Sequence, residues 1–211
     1  MAQFWDSRYS DTDFAYGTTP NDFLVEQCSK IPAGGRVLCL AEGEGRNAVF
    51  LAKQGYAVTA VDQSETGLQK AQKLADESGV TIQTIQADLL EFDIESNYFD
   101  GIVSIFGHLP PKIRLPLHVK VVEALKPTGV FLLEAYTVKH YDMPGIGGPP
   151  PQARETMNSL EELKNELRGL DLIVGQEVER EVKEGKYHKG LSATVQVVGK
   201  KNWVTGSIVA Y

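Results

Sequence analysis

The feature that most constrains the fold is an alternation of short apolar runs with helical patterns between residues 36 and 136. Apolar runs that predict strands occupy residues 36–40, 56–61, 81–86, 98–106 and 130–136. Segments between them place apolar residues at helical spacing, as Leu68, Ala71 and Ala75 do. Strands that alternate with helices predict an α/β fold whose sheet is mainly parallel and covered by helices on both faces.

The C-terminal part of the chain has a different pattern. Ser159 and Glu162 fit a capping box, so we expect a helix to begin there. Two β-type runs, 172–182 and 191–200, follow and predict an antiparallel hairpin. The connecting segment EGKYHKG would place His188 in the hairpin turn, where it could fold over the crevice, although a solvent-exposed histidine is expected.

Prolines predict two further helix starts. Thr19 and Pro20 fit the N-cap and the first position of a helix, and Pro116 fits the first position of another.

Composition excludes several classes of function. The chain has 211 residues, a net charge of −7 and scattered basic residues, which disfavours nucleic-acid binding. It has neither an apolar run of about 18 residues nor a basic leader with an apolar core. Cys28 and Cys39 form no CxxC pair, and the four histidines show no metal-ligand spacing. We therefore expect a cytoplasmic protein with reduced thiols, one domain (1–211) and no metal or membrane.

The turn AEGEG at residues 41–45 indicates a ligand site. Gly43 and Gly45 let the chain turn sharply, and the helix that follows presents free backbone N–H groups. Asp62 ends the second predicted strand, where a carboxylate can accept hydrogen bonds from a ribose. Both a dinucleotide such as NAD and S-adenosylmethionine fit this pattern, although Glu44 would repel a pyrophosphate.

Successive motifs resemble one family. The segments VLCLAEGEGRNAVFLA, VTAVDQS, QADLLEFD and FDGIVS occur in the order found in class I S-adenosylmethionine-dependent methyltransferases. GRNAVFLA and the early FWDSRY resemble the tellurite-resistance and thiopurine methyltransferase branch. The resemblance, over residues 4–200, implies a Rossmann-like three-layer α/β/α sandwich with a seven-stranded, mainly parallel sheet and an antiparallel C-terminal strand. It also implies methyl transfer from S-adenosyl-L-methionine to a small-molecule acceptor, by in-line displacement at the sulfonium methyl.

The resemblance also divides the predicted domain into segments. Residues 1–30 would cap the cofactor, residues 31–137 would form the cofactor-binding core, and residues 159–200 would form the last helix and the hairpin. Residues 138–158 contain GIGGPPP and fit either a lid over the site or an ordinary surface loop.

The resemblance implies a set of cofactor-binding residues. They are Arg8, Ala41, Glu42, Gly43, Gly45, Asn47, Asp62, Gln63, Asp88, Leu89 and Ser104. The turn would hold the methionine half with Arg8 at its carboxylate, Asp62 would bind the ribose, and Asp88 with Leu89 would hold the adenine. Trp5 and Tyr9 would cover the pocket.

Two positions depart from the family pattern. Cys39 stands where an acidic residue is usual, and Ala41 stands where a glycine is usual. Glu42 or Glu44 would have to replace the missing carboxylate.

Two residues are predicted to act on the methyl acceptor. His108 follows the fourth strand and titrates in a useful range, and Tyr136 ends the fifth strand on the same face as Glu134. Each also fits an ordinary structural role. An NAD(P)-dependent oxidoreductase and a non-catalytic S-adenosylmethionine-binding protein remain as alternatives, and the sequence fits a monomer or a homodimer.

Overall fold

The computed structural model describes residues 2–202. Met1 and residues 203–211 lie outside the described residues, although the predicted domain (1–211) includes them.

The described chain contains six α-helices and seven β-strands. The helices are α1 (Ala2–Tyr9), α2 (Asp22–Gln27), α3 (Arg46–Lys53), α4 (Glu65–Glu77), α5 (Pro111–Ala124) and α6 (Leu160–Glu166). The strands are β1 (Arg36–Leu40), β2 (Ala57–Asp62), β3 (Gln83–Gln86), β4 (Phe99–Ile105), β5 (Leu125–Tyr136), β6 (Leu170–Glu184) and β7 (His188–Lys201). Short 3-10 helices occupy Cys28–Lys30, Val138–Asp142 and Pro151–Thr156.

The strands form one sheet in the order β3-β2-β1-β4-β5-β7-β6. Strands β1 to β5 pair in parallel, whereas β7 is antiparallel to both of its neighbours, β5 and β6. The predicted seven-stranded, mainly parallel sheet with an antiparallel C-terminal strand is confirmed. Strand order reverses between β1 and β4, so a crevice opens beyond the carboxyl ends of these two strands.

Helices cover both faces of the sheet. Val37 and Cys39 of β1 belong to an apolar cluster that also contains residues of α3 and α4. Leu38 and Leu40 point the other way, into a second cluster with residues of α5 and α6. This alternation along one buried strand produces the three-layer arrangement.

Two helices begin at positions other than those predicted from proline. Helix α2 begins at Asp22 rather than Pro20, because the side chain of Asn21 accepts the N–H of Leu24 and caps the helix. Helix α5 begins at Pro111, and Pro116 lies inside it. Pro111 satisfies the same first-position preference.

The hairpin turn is also shorter than predicted. It covers residues 185–187, and His188 is already the first residue of β7. His188 is 9% exposed, so the predicted solvent-exposed histidine is wrong. Tyr16, which comes from the distant N-terminal segment, covers its ring.

The N-terminal segment is fastened to helix α4. Oδ1 of Asp6 accepts a hydrogen bond from the hydroxyl of Ser64 at 2.6 Å, and Nζ of Lys70 donates to the carbonyl oxygen of Asp13 at 2.7 Å. These contacts place α1 near the carboxyl ends of the strands.

The segment 138–158 is fixed to β7. The N–H of Gly145 donates to the carbonyl of Leu191 at 2.9 Å, and Ile146 and Lys189 exchange two backbone hydrogen bonds. A lid motion of this segment stays a prediction. Every helix within residues 2–202 is too short or too polar to span a bilayer.

Candidate active site

A cavity of about 620 Å³ opens beyond the carboxyl ends of β1, β2 and β4. The turn after β1, the end of β2 and the segment after β4 form one side. Helix α1, the loop 146–150 and the end of the β6–β7 hairpin form the other. The volume lies within the roughly 300–1,000 Å³ typical of small-molecule sites.

The turn after β1 has an unusual backbone. Ala41, Gly43 and Gly45 have φ angles of 51°, 63° and 88°. At Gly45 a Cβ would lie 2.6 Å from the Cβ of Ala71, so glycine is what allows α3 and α4 to pack closely here. Ala41 adopts a left-handed conformation that costs an L-residue about 1–2 kcal/mol.

Asp62 is held by this turn. It is 6% exposed, its Oδ2 accepts the N–H of Gly43 at 2.9 Å, and its Oδ1 accepts the N–H of Ser64 at 2.8 Å. Burial raises the pKa of Asp62, and these two backbone donors oppose the rise. A carboxylate has about four acceptor positions, more than the backbone N–H groups use, and Asp62 lines the cavity, so it can receive hydroxyl donors from there.

The two glutamates of the turn differ in their contacts. Glu44 is buried, and its Oε1 lies 2.5 Å from Nζ of Lys70. Glu42 lines the cavity, and its Oε1 accepts the N–H groups of Asn47 and Ala48 at 3.0 and 2.8 Å. Burial raises the pKa of Glu42 to about 7, against the opposing effect of these donors. Both glutamates line the cavity. Because the charge of Glu44 is paired with Lys70, Glu42 is the one whose carboxylate is left for a ligand.

Helix α1 contributes a cation and aromatic rings. Arg8 lines the cavity, and its guanidinium lies 4.0 Å from the ring centre of Tyr187. It forms no ion pair with a residue of the described part of the chain. Trp5 and Tyr9 stack at 5.7 Å and also line the cavity. Arg8 is therefore available to an anionic group of a ligand.

His108 and Tyr136 form a stack at the end of β4 and β5. Both ring nitrogens of His108 are used by the main chain: Nδ1 lies 3.0 Å from the carbonyl oxygen of Phe106, and Nε2 accepts the N–H of Tyr136 at 3.0 Å. Burial lowers the pKa of His108 to about 3. Tyr136 is fully buried, because Phe106 stacks on its ring at 4.6 Å and Gly147 covers its hydroxyl. A catalytic role for either residue stays a prediction, and these contacts favour a structural one.

The end of the hairpin closes the cavity. His188 lines it, with its ring 4.4 Å from that of Tyr16 and 4.8 Å from that of Phe106. Glu184, the last residue of β6, is 4% exposed and forms a buried ion pair with Arg46 at 2.5 Å.

The structure brings most of the predicted site residues together. Those that line the cavity are Arg8, Ala41, Glu42, Asn47, Asp62, Gln63, Asp88, Leu89 and His108. Gly43 and Gly45 lie beneath the surface and shape the turn. Ser104 is one residue short of the wall, which begins at Ile105, and Tyr136 is covered as described.

Tyr16, Arg46, Tyr187 and His188 are not among the site residues predicted from the sequence. All four line the cavity. Tyr16 and His188 come from opposite ends of the chain, so no local spacing pattern connects them. Within residues 2–202, no group of three or more histidine, cysteine or acidic side chains is placed to hold a metal ion.

Comparison with known proteins identifies related sequences. Residues 37–129 match the family model described as a methyltransferase domain. The uncharacterized methyltransferase YbaJ of Bacillus subtilis is 35% identical over 102 residues, which cover 47% of this chain and 39% of that protein. The probable S-adenosyl-L-methionine-dependent methyltransferase TehB of Haemophilus influenzae is 30% identical over 131 residues, covering 61% and 45%. The chain spans about half the length of the curated relatives it matches.

Solved structures share the fold. The crystal structure of TehB from Haemophilus influenzae superposes with a TM-score of 0.71 at 21% identity, covering 95% of this chain and 67% of that one. A structure described under the conversion of a disulfide bond into a thioacetal group during echinomycin biosynthesis gives a TM-score of 0.75 at 18% identity, covering 99% and 95%. At these identities the likeness shows the fold alone.

Proposed function

We propose that the protein transfers a methyl group from S-adenosyl-L-methionine to a small molecule. The premise is that this chain belongs, over residues 37–129, to the methyltransferase-domain family. S-adenosylmethionine carries a methyl group on a positively charged sulfur. A nucleophile would attack the methyl carbon in line with the carbon–sulfur bond, and the sulfur would leave. The observation that supports this best is one continuous cavity that joins the carboxylate of Asp62 to an aromatic space beside His188. The protein has to hold, align and shield the two reactants there.

Asp62 is the proposed ribose ligand. Its two backbone hydrogen bonds fix the carboxylate at the end of β2 and leave acceptor positions toward the cavity. Two neighbouring hydroxyls match two carboxylate oxygens, which is why a strand-end acid suits a ribose.

The methionine half would lie between two opposite charges. Arg8, which has no ion-pair partner within residues 2–202, offers its guanidinium to the carboxylate, and Glu42 offers a carboxylate oxygen to the ammonium group. In this proposal Glu42 takes the place of the acidic residue that is usual at position 39, where this chain has the completely buried Cys39. The charge of Glu44 is already taken by Lys70.

The adenine would lie beyond the ribose. Leu89 is 7% exposed and gives an apolar surface, while Asp88 and Gln63 line the same end of the cavity with polar atoms. The N–H of Leu90 donates to Oδ1 of Asp88 at 3.0 Å, which leaves Oδ2 for the adenine amine.

The acceptor is proposed to be a small molecule. Cofactor and acceptor share a cavity of about 620 Å³, and the net charge of −7 disfavours a nucleic-acid acceptor. The buried free thiols Cys28 and Cys39 fit a cytoplasmic protein. Monomeric and homodimeric forms both fit the proposal.

Calorimetry tests the cofactor. The wild-type protein should bind S-adenosylmethionine and S-adenosylhomocysteine but not NADH. The variant Asp62→Asn should bind S-adenosylhomocysteine about 100-fold more weakly, because two charge-assisted hydrogen bonds together contribute about 3 kcal/mol. Circular dichroism should show that this variant remains folded.

Asp76→Asn is the matched control. It makes the same change on the exposed side of α4, away from the cavity, and should leave binding unchanged. Binding of NADH alone, or equal affinities for Asp62→Asn and the wild type, would refute the proposal.

A further inference from the structure

The ring of His188 is fixed at the border of the cavity. The residue pairs with Glu184 across the tight hairpin turn. Aromatic side chains from three other parts of the chain surround its ring, at centre distances of 4.4 Å for Tyr16, 4.8 Å for Phe106 and 5.3 Å for Tyr136. Its orientation is therefore set by packing rather than by solvent.

The two ring nitrogens of His188 have different surroundings. Nδ1 is enclosed, makes no hydrogen bond within the described residues, and lies 3.9 Å from Oε2 of Glu184. Unlike Nδ1, Nε2 is not one of the fully enclosed polar atoms that lack a partner among the described residues. Because His188 lines the cavity, we take Nε2 as the nitrogen that is accessible from it. A distance of 3.9 Å is too long for a hydrogen bond, but contacts of this kind commonly shorten when a ligand closes the site.

Glu184 is held in place as a carboxylate. Arg46 contacts its Oε2 at 2.5 Å, and the amide of Asn21 donates to its Oε1 at 2.7 Å. Although burial acts in the opposite direction, the contacts with Arg46 and Asn21 hold the pKa of Glu184 below its usual range. A fixed negative charge beside Nδ1 favours the tautomer with the proton on Nδ1 and the free electron pair on Nε2.

Other candidate bases are less suitable. Of the four histidines, His108 and His188 line the cavity, and both nitrogens of His108 are bonded to the main chain. Burial raises the pKa of the Tyr136 hydroxyl, which is covered by Gly147.

We propose that His188, positioned by Glu184, is the base that takes the proton of the methyl acceptor at Nε2. This rests on the proposed function. The bond between the acceptor atom and its hydrogen breaks, the proton moves to Nε2, and the freed electron pair forms the new bond to the methyl carbon. The bond between that carbon and the sulfonium sulfur would break at the same time, with its electron pair going to sulfur, so that neutral S-adenosylhomocysteine leaves. The proton then leaves to solvent, so His188 returns to its neutral form.

The same geometry points to the chemical class of the acceptor. A base is needed for a neutral O–H group and not for an anion that is already a nucleophile. The cations of the cavity wall are Arg46, which is paired with Glu184, and Arg8, which the cofactor would use. The wall around the hairpin end is mainly apolar and aromatic, with Phe106, Ile146 and Tyr187. The acceptor is therefore a neutral hydroxyl compound with an apolar or aromatic body, such as a phenol.

The charge state of His188 depends on all groups that face it. They are Glu184 from β6, Arg46 from α3, Tyr16 from the N-terminal segment, His108 after β4, Tyr136 from β5 and His140 from the 3-10 helix Val138–Asp142. Burial lowers the pKa of His188, and Glu184 opposes this effect. The imidazole is then neutral at neutral pH, as a base must be.

Nitrogen-15 NMR of the histidine-labelled full chain is the first test. At pH 7.5 the ring of His188, assigned by its loss in His188→Gln, should be neutral with the proton on Nδ1. The variant Glu184→Gln should lose this tautomer preference. A ring protonated on Nε2, or a cationic ring, would overturn the proposal. This measurement needs neither cofactor nor acceptor, so it is independent of the proposed function.

Methyl transfer to a set of phenols is the second test. With phenol or 1-naphthol, His188→Gln should lower kcat/KM about 100-fold. With 4-nitrophenol ionised at the assay pH, the loss should be less than about 3-fold, since no proton has to be removed. Affinity for S-adenosylhomocysteine should not change, and the control Lys189→Gln, on the neighbouring exposed side chain, should behave as wild type.

The outcomes separate the two proposals. A wild type that does not bind S-adenosylhomocysteine refutes the proposed function. A wild type that binds it but methylates no phenol overturns the acceptor class. Equal losses with ionised and un-ionised phenols overturn the role of His188 as a base.

Discussion

Replacing Glu42 by glutamine should stabilise the ligand-free protein at alkaline pH. The side chain of Glu42 is partly buried against the first turn of α3. There its Oε1 accepts the backbone N–H groups of Asn47 and Ala48. Glutamine has the same shape and can accept the same two hydrogen bonds through its carbonyl oxygen. The substitution therefore removes mainly the cost of keeping a charge out of water.

The size of the effect follows from the pKa. Burial raises the pKa of Glu42 from 4.5 to about 7. This difference corresponds to about 3 kcal/mol, because each pKa unit is equivalent to about 1.4 kcal/mol. Water in the adjoining cavity screens part of this cost, so we expect a gain of about 2 kcal/mol.

The gain should depend on pH with a definite sign. Because the folded-state pKa of Glu42 lies above its unfolded value, the stability linked to its protonated form is fully present below about pH 4.5. It is lost as pH rises through about 7. Glu42→Gln should therefore match the wild type near pH 4.5 and exceed it by about 2 kcal/mol at pH 8.5.

Urea unfolding at pH 4.5, 7 and 8.5 would measure this difference. Glu44→Gln is the matched control, two residues away in the same turn. It removes the buried charge that pairs with Lys70 and should destabilise the protein by roughly 1–3 kcal/mol. The reasoning about Glu42 fails if its variant is less stable than the wild type at pH 8.5, or if the gain is the same at all three pH values. If Glu42 also binds the cofactor ammonium, its variant should bind S-adenosylhomocysteine roughly 10-fold more weakly while being more stable.

Three further predictions concern the scaffold. Thr128 has a φ of 70°, so Thr128→Gly should relieve strain, stabilise the protein by about 1 kcal/mol and raise Tm by roughly 2–4 °C; an unchanged or lower Tm would contradict this. Glu134 is fully buried and accepts two hydrogen bonds from Arg180 at 2.7 Å. Glu134→Gln should therefore lower the free energy of unfolding in urea by about 3 kcal/mol. A decrease below about 1 kcal/mol would show that the pair is not needed. Cys28 and Cys39 are buried, and burial raises the pKa of both thiols, so Ellman's reagent should label them only in denaturant; rapid labelling of the native protein would contradict their burial.

Local patterns in the sequence were enough to predict the central part of the fold. The alternation of buried strands with amphipathic helices is a short-range signal, and it identified β1 to β5 and the parallel sheet. The position of Asp62 at the end of β2, next to a glycine turn, follows from the same pattern, because parallel strands end at one edge of the sheet. Helix starts were less certain, since Pro111 and Pro116 satisfy the same local preference.

The chain's own tertiary contacts decided what the sequence could not. Glu42 and Glu44 are equivalent in the sequence, and only the position of Lys70 on α4 shows which of them stays free for a ligand. His188 was predicted in solvent, because nothing near it in the sequence indicates that Tyr16 will cover it.

The Arg46–Glu184 pair shows the same limit most clearly, since its members are 138 residues apart. Helical and strand periodicity reports which face of an element is buried, and it does so over a few residues. It does not report which distant element covers that face. The sheet and the position of the Asp62 carboxylate at the end of β2 were therefore determined by the sequence itself. The surroundings of the hairpin histidine were determined by packing between distant parts of the chain.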